Sequence, residues 1–189
     1  MYNVIGLGSI ARVGKDSAFS ILKDYVPNLV RVAFADELKA MIEPFLKQNF
    51  GISAFTTVPK EKEIIRPILV GLGGTARAQS HRFWIERVKP KVNELLASGQ
   101  KVCITDVRFQ QFDGDECDFV QKELGGVMIN LDRLDGFTGK LYEPANYEEQ
   151  KNYPILKKRC DVCLCASNII ELEEVLKQSV IPLIQPYEK

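Results

Sequence analysis

The sequence predicts an α/β fold, a five-stranded parallel sheet with helices on both faces, in a chain of 189 residues. Three observations carry that expectation. Short apolar runs alternate with segments whose apolar residues recur at helical spacing, the pattern of fully buried parallel strands joined by crossover helices. The first apolar run opens into a glycine-bearing loop followed by a helix. No linker, internal repeat or low-complexity stretch divides the chain, so residues 1–189 are expected to form one domain around one core.

Taken in order, Met1–Leu7 is the first strand, and Lys15–Tyr25 is a helix with Ala18, Phe19, Ile21 and Leu22 on one face. Leu29–Phe34 reads as the second strand. Asp36–Phe50 reads as a helix, and its Ala35-Asp36 entry puts a carboxylate where backbone donors are unpaired. Glu61–Arg77 is mixed and broken by Gly71, Gly73 and Gly74. Arg82–Ala97 is helical, and Pro90 is expected to bend or divide it. Lys101–Val107 is the third strand, followed by a polar loop, Gln110–Glu116, and a helix, Cys117–Leu124, which Gly125 and Gly126 end. Val127–Leu131 is the fourth strand. The polar stretch Asp135–Tyr153, with Gly136, Gly139 and Pro144, suits a mobile flap. Asp161–Ala166 is the fifth strand, and Asn168–Ser179 is a closing helix opened by Ser167 or Asn168.

Composition excludes several classes of function. Apolar residues are 46% and charged residues 26% of the chain, which rules out a disordered or collagen-like protein. Lys plus Arg and Asp plus Glu are 25 each, a formal net charge of zero, so no global field draws the chain to nucleic acid or an anionic membrane. No run approaches the ~20 apolar residues of a membrane span. The N-terminus lacks a basic region ahead of its apolar run, so it does not read as a signal peptide. Cys103, Cys117, Cys160, Cys163 and Cys165 are not a disulfide framework. Cys160, Cys163 and Cys165 raise zinc, but the only histidine is His81. Cys163 and Cys165 alternate with Val162 and Leu164 as small hydrophobes of a buried strand do. A reduced, cytoplasmic protein is expected.

Two segments carry phosphate chemistry. The first is the loop Ser9-Ile10-Ala11-Arg12-Val13-Gly14-Lys15-Asp16-Ser17 between a strand and a helix. In a Gly-x4-Gly-Lys-Ser/Thr loop, successive amides and a helix N-terminus converge on phosphate oxygens and the lysine bridges the terminal phosphates. Here Gly8 lies one residue early, and Asp16 sets Ser17 one residue late. The second is Thr105-Asp106-Val107-Arg108-Phe109 at a strand end, where ligands of doubly wound sheets gather. Asp106 suits Mg²⁺, held through water, and Arg108 suits bidentate phosphate binding, although a plain strand-end ion pair fits the same two residues.

Gly14-Lys15-Asp16-Ser17, Phe34-Ala35-Asp36-Glu37-Leu38-Lys39 and Thr105-Asp106-Val107-Arg108-Phe109 resemble the signatures of deoxynucleoside monophosphate kinases of tailed bacteriophages. Arg66-Pro67, Gly73, Gly74, Arg77 and Trp84 resemble a further segment of that family, as does Glu123-Leu124-Gly125-Gly126-Val127. Glu37 stands where proline is usual there, and Gln110–Glu116 replaces a shorter Pro-Asn-Glu loop.

The resemblance implies a P-loop kinase using ATP and Mg²⁺ to phosphorylate a deoxynucleoside monophosphate. It implies an acceptor-binding helical region at 36–90 and a lid at 133–158. The loop 9–17 and Lys15 would hold the donor phosphates, with Ser17 and Asp106 toward Mg²⁺ and Arg12 toward the donor or the transferring group. Asp36, Lys39, Arg66, Arg77 and Arg108 would line the acceptor side, and Phe34, Trp84 and Phe109 its base. Arg133 would stack on adenine. Each has a plainer alternative: Arg12, Arg66 and Arg77 as surface charges, Asp36 as a helix cap, Trp84 as a core anchor, Arg133 as a strand-end charge. Homodimerisation stays open, and a phage-encoded protein would work in the host cytoplasm. Acceptors of the dephospho-coenzyme A or phosphomevalonate type, or a non-catalytic nucleotide-binding module, are the competing readings.

Overall fold

The computed structural model describes residues 1–185. Five strands, β1 (Val4–Gly8), β2 (Leu29–Val32), β3 (Lys101–Val107), β4 (Val127–Arg133) and β5 (Val162–Ala166), form one sheet in the order β2-β3-β1-β4-β5. Every pairing is parallel. The helices are α1 (Lys15–Tyr25), α2 (Phe34–Phe50), α3 (Pro59–Gln79), α4 (Phe83–Ala97), α5 (Glu116–Asp118), α6 (Tyr147–Arg159), α7 (Ile169–Ser179) and α8 (Ile181–Ile184). A π-helical turn, Phe119–Glu123, continues α5.

Alternation along the strands sends side chains to two cores. On one face Ile5, Leu7, Cys103, Ile129 and Leu131 pack with Ala18 and Leu22 of α1, Leu172 and Leu176 of α7, and Ile184 of α8. On the other face Val4, Val102, Ile104 and Met128 pack with Trp84, Ile85, Val88 and Val92 of α4 and Leu156 of α6. A small satellite core of Leu46, Ala54 and Ile65 holds α2 against α3. Central β1 is buried at all five positions, and its carboxyl end, with those of β3 and β4, is where the site forms.

A bulge in β3 shapes that edge. Gly6 pairs with Ile104, but Gly8 pairs with Val107, so two residues of β3, Thr105 and Asp106, span one of β1. The extra residue returns Val107 to the same core as Ile104 and re-aims the Asp106 side chain, the usual work of a bulge beside a site.

Several elements depart from the sequence reading. Pro59–Gln79 is one continuous helix despite Pro67, Gly71, Gly73 and Gly74. Each interior glycine costs ~1 kcal/mol relative to alanine, but burial of Ile65 and Ala76 outweighs propensity. A side chain at Gly73 would meet Leu38 of α2 at 3.4 Å. Pro90 does not divide α4, because Ile85, Val88 and Val92, all 0% exposed, hold one face in the core across it. Phe34 begins α2 rather than ending β2. Arg133 is the last residue of β4, paired with Ala166, and does not follow the strand.

The flap expected over Asp135–Tyr153 is helical from Tyr147, where Asn146 caps Glu149 N–H at 2.9 Å. Ahead of it, residues 134–141 form a small antiparallel loop closed by Leu134 and Leu141, with Phe137 fully exposed at its tip. Cys163 and Cys165 lie on a strand as expected, but edge strand β5 leaves both exposed while Leu164 and Ala166 are buried. Asn168, not Ser167, caps α7 by accepting from Ile170 and Glu171 amides at 3.0 Å each, a cap worth about 1 kcal/mol. No helix of the described residues is long and apolar enough to cross a membrane.

Candidate functional site

The loop after β1 is built from left-handed residues and an uncapped helix start. Arg12 has φ 68° and Gly14 has φ 99°, and such turns point successive amides into one concavity. Gly14 is the N-cap residue of α1 and offers no side-chain acceptor, so the first amides of α1 stay available to an anion. Ser9, 3% exposed, ties the loop to β4 by donating its hydroxyl to Leu131 O. Ile10 and Val13 anchor it in the core, whereas Ala11, Arg12 and Asp16 lie outward.

Lys15 opens α1 and folds back over the loop, donating to Ile10 O at 2.6 Å and Ser9 O at 3.3 Å. Burial, assisted by the nearby Arg108 guanidinium, pushes its ammonium down to about 8, against Glu149, Asp106 and Asp16.

At the end of β3, both carboxylate oxygens of Asp106 accept the first amides of α2, Phe34 N–H and Ala35 N–H, at 2.9 Å each. Burial raises its carboxyl above the usual range, although those two amides oppose the shift. Asp106 thus anchors the helix that leads into the 36–90 region. We expect Asp106→Asn to lose ~1–3 kcal/mol of stability, because one α2 amide then faces an NH₂ group, which chemical denaturation measures.

Arg108 lies two residues on, with its side chain 43% exposed and Nη1 donating to Glu149 Oε1 of α6 at 3.2 Å. Its main chain is fixed by Glu116: Oε2 accepts from Arg108 N at 2.7 Å and from Phe109 N at 3.2 Å. Burial pushes the Glu116 carboxyl up to about 8 against the neighbouring Arg77. On the β2 side, Asp36 pairs with Arg31 at 2.5 Å and with Lys39 at 3.7 Å. Hydrogen bonding to Asp36 holds Arg31 charged against its desolvation, with Asp106 and Asp16 adding to the field.

A pocket of about 150 Å³ adjoins the loop, lined by Val13, Gly14 and Ser17 on one side and by Arg133, Asn168 and Ile169 on the other. Arg133 lies over the Tyr142 ring at 4.9 Å and donates to Arg12 O at 3.4 Å. The structure therefore gathers Lys15, Ser17, Asp106, Arg108 and Arg133 at the ends of β1, β3 and β4, with Asp36 and Lys39 beside them at the start of α2.

Other expected residues are placed elsewhere. Arg77, expected on the acceptor, is committed: it forms a two-pronged pair with Asp115 at 3.1 and 3.0 Å, reaches Glu116 at 3.4 Å and lies 3.7 Å over the Phe109 ring. Phe109 is therefore covered by Arg77. Phe34 and Trp84, expected on the base, are core residues at 4% exposure each. The Trp84 indole donates to Gly73 O at 3.4 Å and fastens α4 to α3. Arg66 is exposed on α3. Sequence reasoning missed Arg31, Glu116 and Glu149. Glu149 carried one local signal, standing three residues after an Asn cap.

No family model and no curated protein sequence matches the chain. Among solved structures, dephospho-CoA kinase from Campylobacter jejuni is similar over 94% of this chain and 97% of its own, with a TM-score of 0.55 at 13% identity. A protein from Thermus thermophilus covers 96% of this chain and 97% of its own, with a TM-score of 0.49 at 12% identity. At that distance the likeness is one of fold. The chain shares the fold of that Campylobacter jejuni protein, a five-stranded parallel sheet flanked by helices.

Proposed function

We propose that this chain is an ATP-dependent kinase whose acceptor is a deoxynucleoside monophosphate. The observation that carries the reading is the loop lysine, Lys15, buried within the field of Arg108, a strand-end arginine that uses one guanidinium nitrogen, Nη1, among the described residues. One cation faces a donor phosphate loop and the other faces the space beside it, as transfer between two phosphates requires.

The chain fits ATP on the donor side. The left-handed loop and the uncapped α1 start supply amides to phosphate oxygens. The pocket beside Gly14 and Ser17, bordered by Arg133 and Asn168, suits a base and sugar. Lys15 turns from the loop carbonyls to the terminal phosphates. The Ser17 hydroxyl would help hold Mg²⁺, which would supply charge neutralisation at the phosphates. Both Asp106 oxygens accept α2 amides, and the carboxylate would stand toward the metal through water. Arg108 offers Nε and Nη2, unused among the described residues, to the acceptor phosphate. The loop 134–146 and α6 form the lid over the transferring group, excluding water that would otherwise hydrolyse ATP.

A second reading follows from the solved structure of a dephospho-CoA kinase: the acceptor is then an alcohol of that larger nucleotide. A coupled ADP-release and thermal-shift panel of nucleoside and deoxynucleoside monophosphates and dephospho-coenzyme A, with ATP and Mg²⁺, separates the two. Turnover with deoxynucleoside monophosphates is expected, and turnover with dephospho-coenzyme A alone moves the assignment to the second reading.

Lys15 also sets a pH dependence. Its folded pKa, about 8, lies below the ordinary value of 10.5, so this group favours folding above 10.5 and loses that contribution as pH falls through 8. Binding a polyanion restores its proton. ATP affinity is therefore expected to weaken by up to ~10-fold per pH unit between 8 and 10.5. Calorimetry at pH 8.5 in two buffers of different ionisation enthalpy should show proton uptake on binding. An uptake of zero excludes this role for Lys15.

A further inference from the structure

We infer that Glu149, on α6, is a positioning residue that aims Arg108 at the acceptor phosphate. The inference deepens the proposed function and rests on its acceptor side. It starts from how firmly Glu149 is itself held. Its amide donates to the Asn146 cap at 2.9 Å, and its Oε2 accepts from Ala145 N–H at 3.1 Å. Main chain and side chain are thus both fixed to the first turn of α6, a reciprocal arrangement close to a capping box. At 8% exposure the carboxylate has little freedom to exchange this geometry for water.

The remaining oxygen, Oε1, meets Arg108 Nη1 at 3.2 Å. Only that nitrogen of the guanidinium is used among the described residues. Nε and Nη2 keep the edge that binds a phosphate with two parallel hydrogen bonds. From the opposite side, Glu116 fixes the Arg108 and Phe109 amides. Two buried carboxylates from separate elements therefore hold one half-exposed arginine at both ends of its side chain. A long flexible side chain gains most from such restraint, because a misplacement of ~1 Å at a reacting group costs ~100-fold in rate. Arg108 follows β3 and Glu149 lies on α6, so acceptor alignment depends on how the helix that follows the 134–146 loop is seated.

The test is a double-mutant cycle with an independent measure of order at Arg108. Arg108→Ala is expected to lower kcat/KM for the deoxynucleoside monophosphate ~100-fold. Glu149→Ala alone should lower it ~10–100-fold with KM for ATP within ~2-fold, and should cost less than ~3-fold more when added to Arg108→Ala. Glu149→Gln keeps an oxygen for Nη1 but sets its NH₂ against Ala145 N–H, so it should recover part of the loss in kcat/KM at some cost in stability. In parallel, the ¹⁵N heteronuclear NOE of Arg108 Nε–H, assigned by its absence in Arg108→Ala, should be that of an ordered group in the native protein and fall in Glu149→Ala. Losses that add in the double variant, or an Nε–H equally ordered without Glu149, overturn the inference. Should no deoxynucleoside monophosphate be turned over, the acceptor reading falls, and the relaxation measurement alone decides whether Glu149 holds Arg108.

Discussion

Replacing Lys15 with methionine is expected to abolish phosphoryl transfer and leave the fold as stable as before. The two effects separate because of where the ammonium sits. In the ligand-free protein it is desolvated, near the Arg108 guanidinium, with two loop carbonyls as its partners. Methionine fills the same volume, loses those hydrogen bonds and relieves the desolvation and the repulsion, so the melting temperature should stay within about 4 °C, the scale of ~1 kcal/mol for a chain of this size. Turnover has no such compensation. Charge that develops on transferring phosphoryl oxygens would lose the lysine that answers it, and losses at such positions reach ~1000-fold or more. Differential scanning calorimetry and ADP release on the same sample give both numbers. A collapse in stability would mean that Lys15 holds the loop together, and near-normal turnover would remove it from the chemistry.

Arg77→Leu is expected to do the reverse, with most of its effect on stability. Asp115 is 0% exposed and Glu116 3% exposed, and Arg77 is the cation paired with both. Removing one partner from a buried pair leaves uncompensated charge and typically costs ~3–5 kcal/mol, here about 6–20 °C in melting temperature. The pH dependence has a definite sign. The folded pKa of Glu116, about 8, lies above its ordinary value of 4.5. In the native protein its contribution is therefore fully present below 4.5 and lost as pH rises through 8. Without Arg77 the carboxylate is harder still to ionise, so the stability gap between the two proteins should widen from pH 5 to pH 8.5. Denaturant titrations at those two pH values measure it, and a gap that narrows with rising pH contradicts the account.

Local signals made much of this legible in advance. The helix Lys15–Tyr25 and the strand Lys101–Val107 fall on the residues their apolar spacing marks, and the glycine-bearing loop lies between a strand and a helix. What escaped depended on partners distant in sequence. Gly71, Gly73 and Gly74 argue against a helix until Trp84 and Leu38 are seen packed on that turn. The helix at Tyr147–Arg159 buries Glu149, Asn152 and Leu156, mostly polar groups, so its apolar pattern is weak. Arg77 looks like a free cation until Asp115, thirty-eight residues later, is brought against it. Phe34 and Trp84 are aromatic residues of the kind that can border a base, and only the packing of the second core shows them enclosed. The loop Gln110–Glu116 reads as a polar insertion. In the structure it carries the carboxylates that fix Arg77 and the main chain of Arg108.

The proposed reaction makes one product that no other reading makes. Incubating the protein with ATP labelled in its γ-phosphate, Mg²⁺ and each common deoxynucleoside monophosphate should move the label into the β-position of a deoxynucleoside diphosphate, and Lys15→Met should leave it on ATP. Label that appears only as inorganic phosphate, or only on dephospho-coenzyme A when that is offered instead, would contradict a monophosphate acceptor beside Arg108.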